Sequence, residues 1–193
     1  GDVTLTDWGK EYLKEKYNKP GAVFLHPVHR IDRPVSGAVI FARTDKALGR
    51  LTTLFREKKV QKFYFALTIK APNPQEGKLK HFLLKDEARN VVQAYPKPYR
   101  DAKESITHYE TMGKQEAGYL LKITPLTGRP HQIRVQLSAI GCPSLGDLKY
   151  GAPKALPDAS IALHCFQMEL MHPVRQEPLV VEAPLPDGEW WRP

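Results

Sequence analysis

Cysteine is scarce in this chain: its 193 residues hold two, Cys142 and Cys165, and neither belongs to a C-x-x-C pair. That excludes a disulfide framework for a domain of this size and a cysteine-built structural zinc site, and it predicts a reduced, cytoplasmic setting. No apolar run approaches the roughly 18 residues of a membrane span, so no membrane partner is expected. The first residues show no signal-peptide pattern. Neither G-x-G-x-x-G nor G-x-x-x-x-G-K-[ST] occurs, which leaves no sequence case for a dinucleotide or P-loop nucleotide site. Internal repeats and low-complexity linkers are also missing. Acidic excess is absent, with 29 Lys and Arg against 21 Asp and Glu for a net charge of +8.

What remains is an ordinary globular mixture, 41% hydrophobic and 26% charged. Its length suits one domain with a sizeable core, or at most two small ones, and the chain is taken as a single domain over 1–193. The charge is uneven: residues 1–100 hold 20 basic and 10 acidic side chains, residues 101–193 hold 9 and 11. A basic half suits a polyanion, and nucleic acid is the first candidate.

Periodicity gives the elements. Thr4 and Asp7 form a capping-box pattern, followed by Leu5, Trp8, Tyr12 and Leu13 at helical spacing, with Pro20-Gly21 as the stop. Residues 22–25 and 37–42 are apolar strand candidates flanking a polar segment. Thr44 or Asp45 caps a second helix with Leu48, Leu51, Leu54 and Phe55 on one face. Residues 60–70 alternate, Phe63, Phe65, Leu67 and Ile69 against Lys62, Tyr64 and Ala66. Short strands are expected near 79–84 and 91–95, and a hairpin from 104–112 and 119–126. A helix over 131–140 stops at Gly141, residues 142–159 read as loop, and 161–171 and 179–182 as closing strands. Strands dominate and the helices fall irregularly among them. That predicts an α+β fold with a mixed, mostly antiparallel sheet and a few flanking helices.

Three segments have the chemistry of a site. In His29-Arg30-Ile31-Asp32-Arg33-Pro34-Val35-Ser36-Gly37 a carboxylate stands between two arginines. Nearby cations favour the ionised form of a carboxylate, which suits a nucleophile or base. The plainer reading is a turn aspartate capping backbone N–H groups. His26, His29 and Asp32 also make an H-x2-H-x2-D pattern, but Arg30 and Arg33 would set positive charge beside a cation, so no metal is expected. In Gly128-Arg129-Pro130-His131-Gln132-Ile133-Arg134, His131 and Arg134 are i, i+3 neighbours near a helix start, where Arg134 can meet a phosphate or a catalytic carboxylate. Ile133 and Leu137 are most simply core. Tyr64, on the face opposite the apolar one, can stack on a base or simply pack under a helix.

Taken together, these segments resemble the RluA family of RNA pseudouridine synthases. His29-Arg30-Ile31-Asp32-Arg33 with Ser36-Gly37 is similar to its HR[LI]D…SG signature. Lys62-Phe63-Tyr64-Phe65-Ala66 resembles its KxYxA strand, and Gly128 through Leu137 its GRxHQIRVHL segment. Gly141-Cys142-Pro143, Gly146-Asp147 and Tyr150-Gly151 are similar to GHP…GD..YG, and Leu163-His164 with His172-Pro173 to LHA…HP. The motifs run in family order over nearly the whole chain. Pro130 stands where Thr is common and Gln136 where His is common. Asn18-Lys19-Pro20-Gly21 lies too near Asp32 to be the family's leading NKPAG-like segment, which is expected to lie outside this sequence. No S4-type RNA-binding domain is present in these residues.

The resemblance implies the pseudouridine synthase fold and an isomerase that converts uridines of structured rRNA or tRNA. The N1–C1′ bond is cleaved, the base rotates, and it is rejoined through C5, with no metal, redox cofactor or nucleotide. It implies Asp32 as catalytic carboxylate, by attack on sugar or base or by deprotonation. Arg134 is implied as its partner, and Tyr64 as the ring stacked on the flipped uracil. Arg30 would fill the gap left by the flipped base. Arg33, Arg129 and His131 would meet the RNA, and Ile133 and Leu137 would wall the pocket. A non-catalytic RNA-binding module is the alternative from another class, and a hydrolase built on His26, His29 and Asp32 is a third.

Overall fold

The computed structural model describes residues 3–192, which group into two compact units interleaved along the chain. The smaller takes the chain up to Ile31, then Val39–Val60 and Leu170–Leu179; the larger takes Asp32–Ala38, Gln61–Glu169 and the chain from Val180 on.

In the smaller unit, helix α1 spans Leu5–Lys16 and is opened by the expected capping box: the Asp7 amide donates to Thr4 Oγ1 at 3.2 Å and the Thr4 amide to Asp7 Oδ2 at 3.0 Å. Its apolar spacing does not make a buried stripe, however. Leu13 is buried, while Leu5, Trp8 and Tyr12 are exposed, and Trp8 stacks on Tyr12 at the surface. The strand expected over 22–25 is absent; pairing begins one residue later, at β1 (His26–Pro27). The candidate strand over 37–42 is two separate pieces, β2 (Ser36–Gly37) and β3 (Phe41–Ala42). β3 pairs antiparallel with β1, His26 facing Ala42, and leads into helix α2 (Asp45–Arg56), capped by Thr44.

Most of an eight-stranded sheet lies in the larger unit. Its strands are β4 (Gln61–Thr68), β5 (Glu76–Asp86), β6 (Val91–Tyr95), β7 (Lys103–Lys114), β8 (Tyr119–Pro125), β9 (Leu163–Met171) and β10 (Pro178–Glu182), together with β2. The order is β10-β9-β4-β8-β7-β5-β6, with β2 alongside β9. The pairs β4–β9, β4–β8, β7–β8, β5–β7 and β5–β6 are antiparallel, and β2–β9 is parallel. The mixed, mostly antiparallel α+β architecture is thus the one its irregular element order implies.

Two features of this sheet place the site. First, β4 and β9 slip by a bulge between Phe63 and Tyr64, so that Phe63 faces Gln167 but Tyr64 faces Cys165. A bulge re-aims side chains beside it, and here both faces of β4 are covered: Tyr64 and Ala66 are buried, and Leu67 too. Second, β2 lies against β9 so closely that only glycine fits. A Cβ on Gly37 would sit 2.4 Å from the Cys165 backbone nitrogen and oxygen, and Gly37 has φ +126°.

Helix α3 (Gln132–Ala139) packs on β5 and β6. It is shorter than the expected 131–140, because His131 takes a left-handed conformation (φ 50°, ψ 20°) and ends the loop rather than opening the helix. Gln132 through Leu137 are all buried, so its polar members need partners. Gln136 donates to the Leu79 and Ser105 carbonyls and accepts from Thr107, while Gln132 donates to the Ile106 carbonyl and Thr107 and accepts from Thr127 and the Arg129 amide.

Replacing Gly37 by Ala adds a Cβ inside backbone and forces an unfavourable φ. The substitution is expected to cost about 2 kcal/mol or more, read as a lower urea midpoint; an unchanged midpoint would show that β2 and β9 separate freely.

Candidate active site

The site is assembled in the larger unit around Arg134. Its position on α3 turns the side chain inward, where it is 6% exposed. Nε donates to Asp147 Oδ2 at 2.7 Å and Nη2 to Asp147 Oδ1 at 2.8 Å, a bidentate pair with a carboxylate only 1% exposed. Nη1 donates to Asp32 Oδ2 at 3.0 Å, and the Asp32 side chain keeps 21% of its surface open. Such planar, two-pronged recognition is particular to arginine. Burial works against the arginine's charge, but hydrogen bonds and charge from Asp147, then Asp32, outweigh it. They hold its pKa above the ordinary value.

Asp32 itself lies in a tight turn, with the Val35 amide donating to the Asp32 carbonyl at 2.9 Å. The turn leads directly into β2, so the pairing of Ser36 with His164 and of Gly37 with Cys165 fixes where the carboxylate emerges. The Ile161 amide donates to the Pro34 carbonyl and the Ala38 amide to the Cys165 carbonyl, both at 2.9 Å.

Under the guanidinium, 5.0 Å from its central carbon, lies the ring of Tyr150, in a 3₁₀ turn, Leu148–Tyr150. The Tyr150 hydroxyl accepts from the Val92 amide at 2.9 Å and bonds His131 Nδ1 at 2.6 Å. His131 is therefore held beside Arg134 by a ring rather than by sharing a helix face. Burial lowers its pKa, and the Asp32 charge opposes that shift. Tyr64 is 8% exposed. Burial, then Cys165 and Asp32, keep its phenol proton well above the ordinary tyrosine range, so the ring stays neutral beside the carboxylate.

Asp32 and Arg134, 102 residues apart, meet in an ion pair, and Tyr64 and His131 both feel the Asp32 charge. Ile133 and Leu137 are buried in α3. Arg33 and Arg129 are exposed, and Arg129 Nε donates to the Glu104 carbonyl at 3.3 Å. Arg30 is exposed in the smaller unit. His29 Nε2 accepts from the Ile40 amide at 2.9 Å and its ring stacks on Phe55. Among the described residues no three His, Cys, Asp or Glu side chains gather as a metal would need. Among the same described residues no helix is long and apolar enough to cross a membrane.

Periodicity assigns no element to 142–159, and the motif that holds Gly146-Asp147 and Tyr150-Gly151 gives neither Asp147 nor Tyr150 a role. The physical signal is that a guanidinium has five donors, and a buried arginine needs more than one carboxylate to satisfy them.

A partly open carboxylate clamped by a buried arginine on a mixed sheet is an arrangement able to serve acid–base or nucleophilic chemistry. Comparison with known proteins gives the family. The model of the RNA pseudouridylate synthase family matches residues 2–139, and the chain belongs to that family. It is 33% identical over 198 aligned positions to the mitochondrial pseudouridylate synthase RPUSD4 of Xenopus tropicalis, covering 82% of this chain and 61% of that protein. It is 35% identical to ribosomal large subunit pseudouridine synthase C of Vibrio vulnificus, covering 86% and 54%. With the dual-specificity RNA pseudouridine synthase RluA of Pasteurella multocida it shares 33% identity over 89% of this chain and 76% of that one. The chain thus spans between about half and three fifths of the first two relatives. The solved structure of human RNA pseudouridylate synthase domain containing 4 superposes with a TM-score of 0.79 at 26% identity, over 97% of this chain and 81% of the other.

The Arg134 pair makes a stability prediction. Arg134→Met strands Asp147 in the interior and is expected to cost about 3–5 kcal/mol. Adding Asp147→Leu removes the orphaned charge and should recover much of that loss. Guanidinium denaturation of both variants decides it; a double variant no more stable than the single one would mean the pair is not the buried charge unit drawn here.

Proposed function

We propose that this chain, as a single catalytic domain over 1–193, converts specific uridines of structured rRNA or tRNA to pseudouridine. The observation that carries the reading is the Asp32–Arg134–Asp147 unit: a carboxylate oriented by a buried cation, itself locked by a second carboxylate. The names of the relatives support it, since those proteins are described as synthases acting on the ribosomal large subunit or as dual-specificity RNA enzymes.

In this reading the reaction is an isomerisation. The N1–C1′ bond breaks, the C5–C1′ bond forms, and the proton leaving C5 is balanced by one gained at N1. Asp32 is the catalytic carboxylate, by attack or by deprotonation. Arg134 positions it: a guanidinium bound to Oδ2 holds one face of the carboxyl and leaves the other for substrate. Tyr64 stacks on the uracil and, as a neutral phenol, adds no charge to compete with Asp32. The target base must leave its stack, which costs a few kcal/mol, and Arg30 takes the vacated place. Arg33, Arg129 and His131 meet phosphates and sugars, and Ile133 and Leu137 wall the pocket. The basic half of the chain steers the RNA, and the cytoplasm is its compartment.

The test is to incubate the protein with total RNA and map pseudouridines. Asp32→Asn keeps an acceptor for Arg134 but loses the carboxylate, so turnover is expected to fall about 10²–10⁴-fold while RNA affinity stays within a few-fold. Native protein that binds RNA and forms no pseudouridine would point to an RNA-binding module instead, and a fully active Asp32→Asn variant would remove Asp32 from its role.

A further inference from the structure

His164 takes no part in the Asp32–Arg134–Asp147 unit, yet it is a fully bonded polar side chain on β9. It is 2% exposed, and both ring nitrogens are bonded: Nε2 lies 3.1 Å from the Ala183 carbonyl and Nδ1 lies 2.8 Å from Ser36 Oγ. A carbonyl only accepts, so Nε2 bears the proton and Nδ1 is left with a lone pair. Ser36 therefore donates to the ring, and the imidazole is held in one tautomer. Its edge packs on Trp191, with ring centroids 6.2 Å apart. Burial lowers its pKa, in keeping with a neutral ring.

Ser36 is four residues past Asp32 and is the first residue of the two that pair with β9. Beside its own two-residue ladder, the segment is held by the Ile161 amide on the Pro34 carbonyl, the Ala38 amide on the Cys165 carbonyl, the close approach of Gly37, and one side-chain bond, the Ser36 hydroxyl on His164. Leucine would fill the His164 site as well as imidazole does, but it would offer Ser36 no acceptor.

We propose that His164 is a positioning residue for Asp32, anchoring through Ser36 the end of the turn that presents the carboxylate to substrate. The imidazole reaches no reacting atom. It acts by restricting the 32–38 segment so that Asp32 meets both Arg134 and substrate in one geometry. Loss of such an anchor lowers the rate without weakening the grip on RNA, because catalysis is more sensitive than binding to small displacements of a reacting group.

The test compares His164→Leu, His164→Asn and Ser36→Ala by two readouts. The first is amide hydrogen exchange at Val35 and Ala38. The second is the single-turnover rate of pseudouridine formation and its RNA KM; this arm alone rests on the isomerase reading. His164→Leu and Ser36→Ala are expected to speed exchange at both amides, and to slow turnover, by about tenfold, the worth of one buried hydrogen bond, with KM within about twofold. Asn, whose Oδ1 falls where Nδ1 was, should restore most of both. The Ser36→Ala/His164→Leu double variant should be no worse than His164→Leu alone, since that variant has already removed the bond the Ser36 hydroxyl makes.

Exchange at 32–38 unchanged by His164→Leu, or losses that add in the double variant, would overturn the proposal. If the native protein makes no pseudouridine, the isomerase reading fails and the exchange arm decides the positioning by itself. If His164→Leu does not fold, Ser36→Ala and His164→Asn give the same comparison with smaller changes.

Discussion

A guanidinium cannot be carried into a protein interior alone, and the arrangement of the larger unit follows from satisfying the one on Arg134. Removing such a cation from water costs several kcal/mol unless carboxylates meet it with good geometry. Asp147 meets it with both oxygens of a side chain that is almost wholly enclosed. That leaves Nη1 directed at Asp32. The division of labour is asymmetric by burial. The enclosed carboxylate holds the arginine still, and the still arginine then orients the carboxylate that remains open. With Asp32 alone, the cation would move with the turn; with Asp147 alone, Asp32 would have no fixed partner.

The rest of α3 serves the same end. An amphipathic helix presents one apolar stripe and is free to slide along it; α3 instead buries three polar side chains in succession along its length. Gln132 and Gln136 bond carbonyls and hydroxyls of β5 and β7, each at positions a rotated helix would miss. A buried amide left without partners costs about 1–3 kcal/mol, so the glutamines penalise every register but one. The position of the guanidinium is thus set by the glutamines on either side of it.

Much of this was legible in the residues, and the boundary between legible and hidden is physical. The caps at Thr4 and Thr44, the hairpin of β7 and β8 and the α+β class depend on neighbours in sequence, and periodicity reports those. Asp32 and Arg134 were legible as a pair through their motifs. What stayed hidden depends on distant chain. The run 37–42 reads as one strand, but its two ends pair with different partners, β9 and β1. The alternation in β4 reads as one buried face, but a bulge against β9 and cover on both sides bury Tyr64 as well. Asp147 stands in a motif, but the motif does not say what the carboxylate does; its role exists only once Arg134 is known to be buried.

The same reasoning explains why β9 carries so much of the design in so few residues. Its Cys165 takes Gly37 against its backbone and faces Tyr64 across the sheet, while the neighbouring His164 takes Ser36. Two consecutive residues thus touch both the segment that bears the carboxylate and, through the β4 pairing, the strand that bears the tyrosine. A strand carries backbone hydrogen-bonding groups along both edges, so the same two residues can pair with β2 on one edge and β4 on the other. Asp32 and Tyr64 come from segments about thirty residues apart in sequence, and loops joining them would set their separation only loosely. Pairing both segments to adjacent positions of one strand fixes it to within the precision of backbone hydrogen bonds, which is the tolerance that chemistry at a flipped base demands.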